Sequence, residues 1–396
     1  MSSSSSDTSQ KRLRALCQRL GKVEIGSKYI CMPAGSEGYA SAVMLSSVIK
    51  NAGHSVGLIT SAFNYDPRLS VYVGGELPSI EDYNNSVAAL KSAAGRLGTE
   101  EYYREEAVFA LGLLLCKLCG CEYVILQGLS GKNFTLDAVC APYELIVIPT
   151  VYDQNSADER VKQLCDMIRR GAREVISGNQ KSEIYNTVSN ACAVSGARLD
   201  IPLKAQFELT DLTARSLTFT YGEREGFSLK SPSALLRDLA MTVIEAALAL
   251  RRGGVKMPWS SISQGLADAT GMGCFDLLSV SPLVVIDSAH NVALAEMLVR
   301  TLEEIFGESV TDQISLCVPE SGLAATAAFE GKNIEKIIIY TQSGENDASD
   351  IKLRLDSLKK CAKEVVKLMK SGKNVLCFGS VAFASELKIE INKIIN

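Results

Sequence analysis

The strongest constraint on the fold of this chain is its repeated pairing of short apolar strands with helices. "KYICMPA" reads as a strand and "YASAVMLSSVIKNAG" as the helix after it, closed by Gly53. "SVGLITS" is a further strand, "REEAVFALGLLLCKLCG" a helix, and "EYVILQGL" and "YELIVIPTVYD" are strands apolar on both faces. Such strands belong in a parallel sheet covered by helices on both sides. The helix "ADERVKQLCDMIRRG" and the strand "REVISG" continue the alternation. The expected fold class is α/β, with a doubly wound parallel sheet.

Between Tyr185 and Tyr221 the pattern shortens and turns β-like, in "ARLDIPL", "AQFELT" and "SLTFTY". It reads as an extension of the first domain. The helix "SALLRDLAMTVIEAALALRRGG" follows, and "GMGCFDLLSVSP", with Gly, Ser and Pro at its edges, reads as a connector. A second alternating unit starts at "LVVIDSAHN" and ends with the strand "NVLCFGS". Within it, "SDIKLRLDSLKKCAKEVVKLMKSG" reads as one helix. The expected division is a disordered Ser-rich tail over 1–11, a large domain over 12–280 and a smaller α/β domain over 281–396. The two meet near Leu278–Pro282 with a cleft between them.

Composition excludes several functions. With 396 residues, 22% charged and a net charge of −4, the chain has no basic surplus for a nucleic-acid partner. No apolar run reaches the roughly 18–20 residues of a membrane span. The start "MSSSSSDTSQKRLR" lacks the apolar core of a signal peptide. A cytoplasmic protein with neither nucleic-acid nor membrane partner is expected. Most of the 12 cysteines sit in apolar runs, as buried free thiols do. Cys116, Cys119 and Cys121 lack an obvious fourth ligand, and the chain has only two histidines, His54 and His290, so no metal site is assigned.

"CMPAGSEGYAS" has the layout of strand, glycine-rich turn and helix that cradles phosphate. Gly35, Ser36 and Gly38 are the candidate cradle, and the Ser41 hydroxyl stands where it would ligate magnesium. Tyr39 stands where a lysine would reach the phosphates. Glu37 puts a negative charge there too, and two unit charges 4 Å apart repel by about 4 kcal/mol at an effective dielectric of about 20.

Four landmarks in order carry a resemblance. "PAGSEGYAS", "ILQGLSGKNFTLDAV", "VVIDSAHN" and "NVLCFGSVAFASELK" resemble segments of the folylpolyglutamate synthase and dihydrofolate synthase branch of the Mur ligase superfamily. The likeness runs over about residues 12 to 390. It implies a Mur ligase-like fold with a large P-loop-type domain and a smaller α/β domain. It also implies an ATP-dependent amide ligase acting through an acyl phosphate, with ATP and magnesium as cofactors. Asp287, His290 and Asn291 match the nucleotide-contacting turn. Ser61 and Arg68 match substrate-side positions, and Lys132, Arg169 and Arg170 are the cations that would serve a rebuilt site.

The chain departs from that pattern at several places. The family's metal carboxylate falls at Leu126, beside Gln127, and its metal histidine at Gln154, after Asp153. Its carbamylated lysine falls in "DMIRRGAREV", at Arg169 or Arg170, and its clamp arginine at Cys274. The segment "SAFNYDPRL" has Phe63 at the family's histidine position. Together these departures predict a degenerate relative without a confident cofactor. It would act by binding a small anionic ligand or a partner protein, such as an active ligase paralogue. The competing expectation is an active amide ligase with a rebuilt nucleotide site.

Overall fold

The structure is a computed structural model. It describes residues 3–62, 67–95, 104–128, 136–152, 157–341 and 352–395. Contacts divide the chain into two units, one of Met1–Val151, Asn155–Lys204 and Leu239–Thr270, the other of Tyr152–Gln154, Ala205–Asp238 and Gly271–Asn396.

The first unit carries strands β1 (Lys28–Met32), β2 (Val56–Thr60), β3 (Val71–Val73), β4 (Tyr123–Gln127), β5 (Tyr143–Ile148), β6 (Ala172–Ser177) and β7 (Arg198–Asp200). They form one sheet in the order β3-β2-β4-β1-β5-β6-β7. All neighbours are parallel except β3, which runs against β2. Of the two apolar runs read as doubly buried strands, β4 is buried at every position and β5 at every position but Glu144. In the β1–β4 and β2–β4 registers, Met32 and Thr60 both pair with Gln127. Three strand ends thus lie side by side where the chain leaves β1.

Helices α1 (Ser3–Arg19), α2 (Ser36–Asn51), α3 (Ile80–Gly95), α4 (Arg104–Leu118), α5 (Ala157–Arg169) and α6 (Ser182–Ser195) alternate with these strands, and α8 (Trp259–Asp268) follows the long α7 (Ala234–Arg252). Gly265 lets α8 lie against α2, since a β-carbon there would come within 2.4 Å of the Val48 Cα.

The second unit contains a three-stranded antiparallel sheet, β8 (Phe207–Leu212), β9 (Leu217–Tyr221) and β10 (Arg224–Leu229). Phe207 and Phe227 stack on Phe219 at centroid distances of 5.0 and 5.3 Å, which fixes one face of it. A six-stranded sheet follows in the order β11-β12-β16-β13-β14-β15. Its strands are β11 (Asp276–Val280), β12 (Leu283–Asp287), β13 (Ile314–Pro319), β14 (Ile334–Tyr340), β15 (Lys352–Leu355) and β16 (Asn374–Phe378). Helices α9 (Val292–Phe306), α10 (Leu358–Lys370) and α11 (Val381–Ile395) belong to it.

Several expectations change. α1 covers residues read as a tail and the segment after them, and α6 lies where the pattern looked β-like. The connector is β11, an edge strand antiparallel to β12, so the joint expected at Leu278–Pro282 is the turn of a hairpin. The strands β8–β10 group with the second unit rather than the first. Of the single helix expected at Ser349–Gly372, residues 349–351 lie outside the described residues, and the rest is instead β15 and then α10, which starts where the Ser357 hydroxyl accepts the Lys360 N–H.

Every cysteine is a free thiol, and Cys119 alone is exposed. Among the described residues, no group of His, Cys, Asp or Glu is arranged to hold a metal ion. No described helix is long and apolar enough to cross a membrane.

Candidate functional site

The turn from β1 to α2 is the candidate site. Gly35 turns with φ 109, a conformation that favours glycine. A β-carbon on Gly35 would lie 2.8 Å from Glu37 Oε2 and 2.9 Å from Arg160 Nη2. One on Gly38 would lie 2.0 Å from the Pro33 carbonyl oxygen. The packing of the turn itself therefore demands both glycines. α2 begins with the Tyr39 N–H donating to the Gly35 carbonyl at 3.0 Å, and no side chain among the described residues caps it.

Side chains fill this turn. Glu37 is 1% exposed, and its Oε2 accepts from Ser36 Oγ at 3.3 Å. Arg160, in the first turn of α5, donates to the Ala34 carbonyl at 2.9 Å and places Nη1 4.0 Å from Glu37 Oε1. Tyr39 is buried, at 5% exposure, as are Ala40 and Ser41. The Ser41 hydroxyl makes no hydrogen bond among the described residues.

Gln127 closes the other wall. Its side-chain nitrogen donates to the Pro33 carbonyl at 3.1 Å and to the Gly35 carbonyl at 3.4 Å. Its side-chain oxygen accepts from Thr60 Oγ1 at 2.5 Å. Ser61 is tied in as well. Its hydroxyl donates to the Gly128 carbonyl, its N–H to the Gln127 carbonyl at 3.1 Å, and the Gly128 N–H donates to Met32.

The structure thus brings Gly35, Ser36, Gly38, Ser41 and Ser61 into one region. Arg169 is elsewhere: at the other end of α5, about 14 Å along its axis from Arg160, it is exposed and pairs with Asp166 at 2.9 Å. Arg170 follows directly, half-buried. Arg68 is half-buried in a short 3-10 turn, Pro67–Ser70. Lys132, Phe63, Asp153 and Gln154 lie outside the described residues. Leu126 is buried within the sheet.

Asp287, His290 and Asn291 come together at the end of β12 in the second unit. Asp287 accepts the Phe275 N–H on Oδ2 and the Ala289 N–H on Oδ1, each at 2.7 Å. Burial raises its pKa to about 6, against the pull of those N–H groups. Phe275 itself has φ 54, so Asp287 pins an unfavourable backbone turn. Asn291 is the N-cap of α9, accepting the Leu294 N–H at 2.9 Å, and its side-chain nitrogen is buried without a hydrogen bond among the described residues. His290 Nδ1 lies 3.4 Å from the Ser288 carbonyl. Cys274 is buried, with Sγ 3.9 Å from Ser288 Oγ.

Sequence reasoning missed Arg160 and the Gln127–Thr60 pair. Arg160 carried a faint signal, a cation in the first turn of a helix, where the dipole disfavours it unless a carboxylate is near. The Gln127–Thr60 pair carried none, since only strand register brings the two together.

No protein-family model matches the chain. It is 22% identical over 317 residues to a folylpolyglutamate synthase of Lacticaseibacillus casei, covering 76% of this chain and 74% of that protein. It is 26% identical over 310 residues to a dihydrofolate synthase/folylpolyglutamate synthase of Escherichia coli (strain K12), covering 76% and 69%. Among solved structures, the folylpolyglutamate synthase of Thermotoga maritima superposes with a TM-score of 0.77 at 18% identity, over 97% of this chain and 93% of that one. The Mycobacterium tuberculosis enzyme complexed with ADP gives 0.78 at 14% identity, over 97% and 94%. The likeness carried by the order of motifs is thus shown in curated relatives, and the Mur ligase-type fold is shown by the solved structures.

Proposed function

We propose that this chain keeps the folylpolyglutamate synthase-type fold without its ligase chemistry, and acts by binding a small anionic ligand or a partner protein. The observation that carries this reading is Gln127. At the end of β4, beside the family's metal carboxylate position, it offers a neutral amide already committed to Pro33, Gly35 and Thr60. Magnesium prefers hard, charged oxygen ligands, and the described side chains around the turn do not fit it. Glu37, the carboxylate closest to the turn, faces Arg160 instead. A buried Tyr39 supplies no cation. These groups support no catalytic step through MgATP.

A second reading, an amide ligase with a rebuilt nucleotide site, draws support from one feature: the guanidinium of Arg160 at the turn. Against it, that charge already faces Glu37 and the Ala34 carbonyl. Calorimetric titration of the whole protein with MgATP separates the two readings. The binding reading expects no dissociation constant below about 100 μM, roughly −5.5 kcal/mol. Tighter binding favours the rebuilt site.

A further inference from the structure

We propose that Glu37 is the internal anion of its own loop: its carboxylate takes the seat that the strand-turn-helix offers to a phosphate, with Arg160 as its counter-cation. The inference rests on the preceding reading only in treating 34–41 as a former phosphate loop.

Four observations converge on it. The Glu37 side chain, 1% exposed, folds back over the turn, so that Oε2 lies 2.8 Å from where Gly35 would carry a β-carbon. A Glu in a helix's first turn ordinarily stays in water, where its charge is solvated. Here it is withdrawn from water and placed against a glycine whose bare backbone admits an anion. Second, Arg160 reaches from α5 to the same point, its Nη2 2.9 Å from that β-carbon position. Buried carboxylates persist when a cation and hydrogen-bond donors meet them, and Ser36 Oγ is such a donor at 3.3 Å. Third, no side chain among the described residues caps α2, so a first-turn carboxylate supplies the negative charge its N-terminus favours. Fourth, the fit is incomplete: Glu37 Oε1 and Ser41 Oγ are both buried without a hydrogen bond among the described residues. A two-oxygen carboxylate satisfies the seat less fully than a phosphate group with more oxygens. The seat is anion-shaped and filled from within.

The test uses inorganic pyrophosphate without metal, titrated calorimetrically into the whole protein. The natural protein is expected to show no binding up to about 10 mM. Glu37→Gln, whose neutral amide no longer pairs with Arg160 and can be displaced from the seat, is expected to bind at about 1 mM or tighter, a gain of at least tenfold. Adding Arg160→Ala to it is expected to abolish that binding. Binding by the natural protein, or a folded Glu37→Gln that binds no better, overturns the proposal. Unfolding midpoints give a second readout that does not depend on Glu37→Gln being stable alone. Arg160→Ala is expected to lower the midpoint, and Glu37→Gln in that background to recover part of the loss. Additive losses overturn the pairing. Phosphate release from ATP by the natural protein would sink the proposed function and this inference together, since turnover needs an open cradle. Pyrophosphate binding by the natural protein without phosphate release would sink this inference alone.

Discussion

At the scale of single residues, the retained glycines and Asp287 both have reasons that require no ligand. Gly38 passes so close to the Pro33 carbonyl that a β-carbon would lie 2.0 Å from the oxygen, and a backbone atom cannot swing aside. Gly38→Ala is expected to cost about 1–3 kcal/mol, the range for overpacking. Gly95→Ala, where a β-carbon would meet nothing within 4 Å among the described residues, serves as the control. Urea midpoints for the two variants check this, and equal midpoints would remove the close approach as the reason for Gly38. Asp287 gives a pH dependence. Its carboxyl is raised by burial from 3.8 to about 6, with Asp276 adding to the rise and three backbone N–H groups opposing it. An acid held above its unfolded value binds more protons folded than unfolded, so stability falls as pH rises from about 4 to about 6. Two pKa units are worth about 3 kcal/mol. The stabilities of the natural protein and of Asp287→Asn, from urea unfolding, should diverge by about this amount across that window. Parallel curves would mean that Asp287 titrates alike in the folded and unfolded chain.

At the scale of elements, α1 shows what local sequence hides. Arg12 donates to both carboxylate oxygens of Glu106, at 3.2 and 2.7 Å, and the Glu106 side chain is fully buried on α4. Removing one partner of a buried pair strands the other charge, at about 3–5 kcal/mol. Arg12→Ala is expected to lose that much, and Arg12→Ala with Glu106→Leu to recover most of it. A single variant within about 0.5 kcal/mol of the natural protein in urea would show that water reaches Glu106. The Ser-rich start of "SSSSDTSQKRLRALCQR" hides this helix, because Ser and Asp are poor helix formers, and only Leu13, Leu16 and Cys17 at helical spacing point to it, while the partner of Arg12 lies 94 residues away. The helix α6, "SEIYNTVSNACAVS", was hidden the same way by Ser, Asn and β-branched residues. β11 was hidden because its pairing with β12 is a tertiary fact, while Gly271, Gly273 and Pro282 are visible locally. The strands β2 and β4, the Gly-rich turn and α7 were legible because burial on both faces or a long apolar stripe writes itself into composition. The candidate site was legible as a set of substitutions. Its hydrogen bonds were not, because Thr60, Gln127 and Met32 meet only through the register of three strands.

At the scale of the whole molecule, the question is whether a fold shared with ligases implies ligation, and fold alone does not. The ligase reaction needs a cation, a metal seat and an open phosphate cradle at once. Restoring only the cation, with Tyr39→Lys, is expected to yield no turnover, for three reasons. Position 39 is buried at 5% exposure, so a lysine there would lose solvation or be driven out of its packing. Gln127 would still be bound to Pro33, Gly35 and Thr60, leaving it a neutral amide. Glu37 would still hold its charge in the turn beside Arg160. Groups that act as a unit are not additive, so one restored member recovers little. Each missing stabiliser of this kind is commonly worth about 2–4 kcal/mol of the transition state, and each 1.36 kcal/mol is about tenfold in rate. The measurement is phosphate release with ATP, magnesium, glutamate and reduced folates, on the natural protein and on Tyr39→Lys, with circular dichroism to establish that both are folded. Silence from both is the expected result. Turnover by the natural protein above about 0.1 s⁻¹, slow for an enzyme, would promote the rebuilt ligase. Turnover by Tyr39→Lys alone would show that the tyrosine, and not Gln127 or Glu37, is what closed the site.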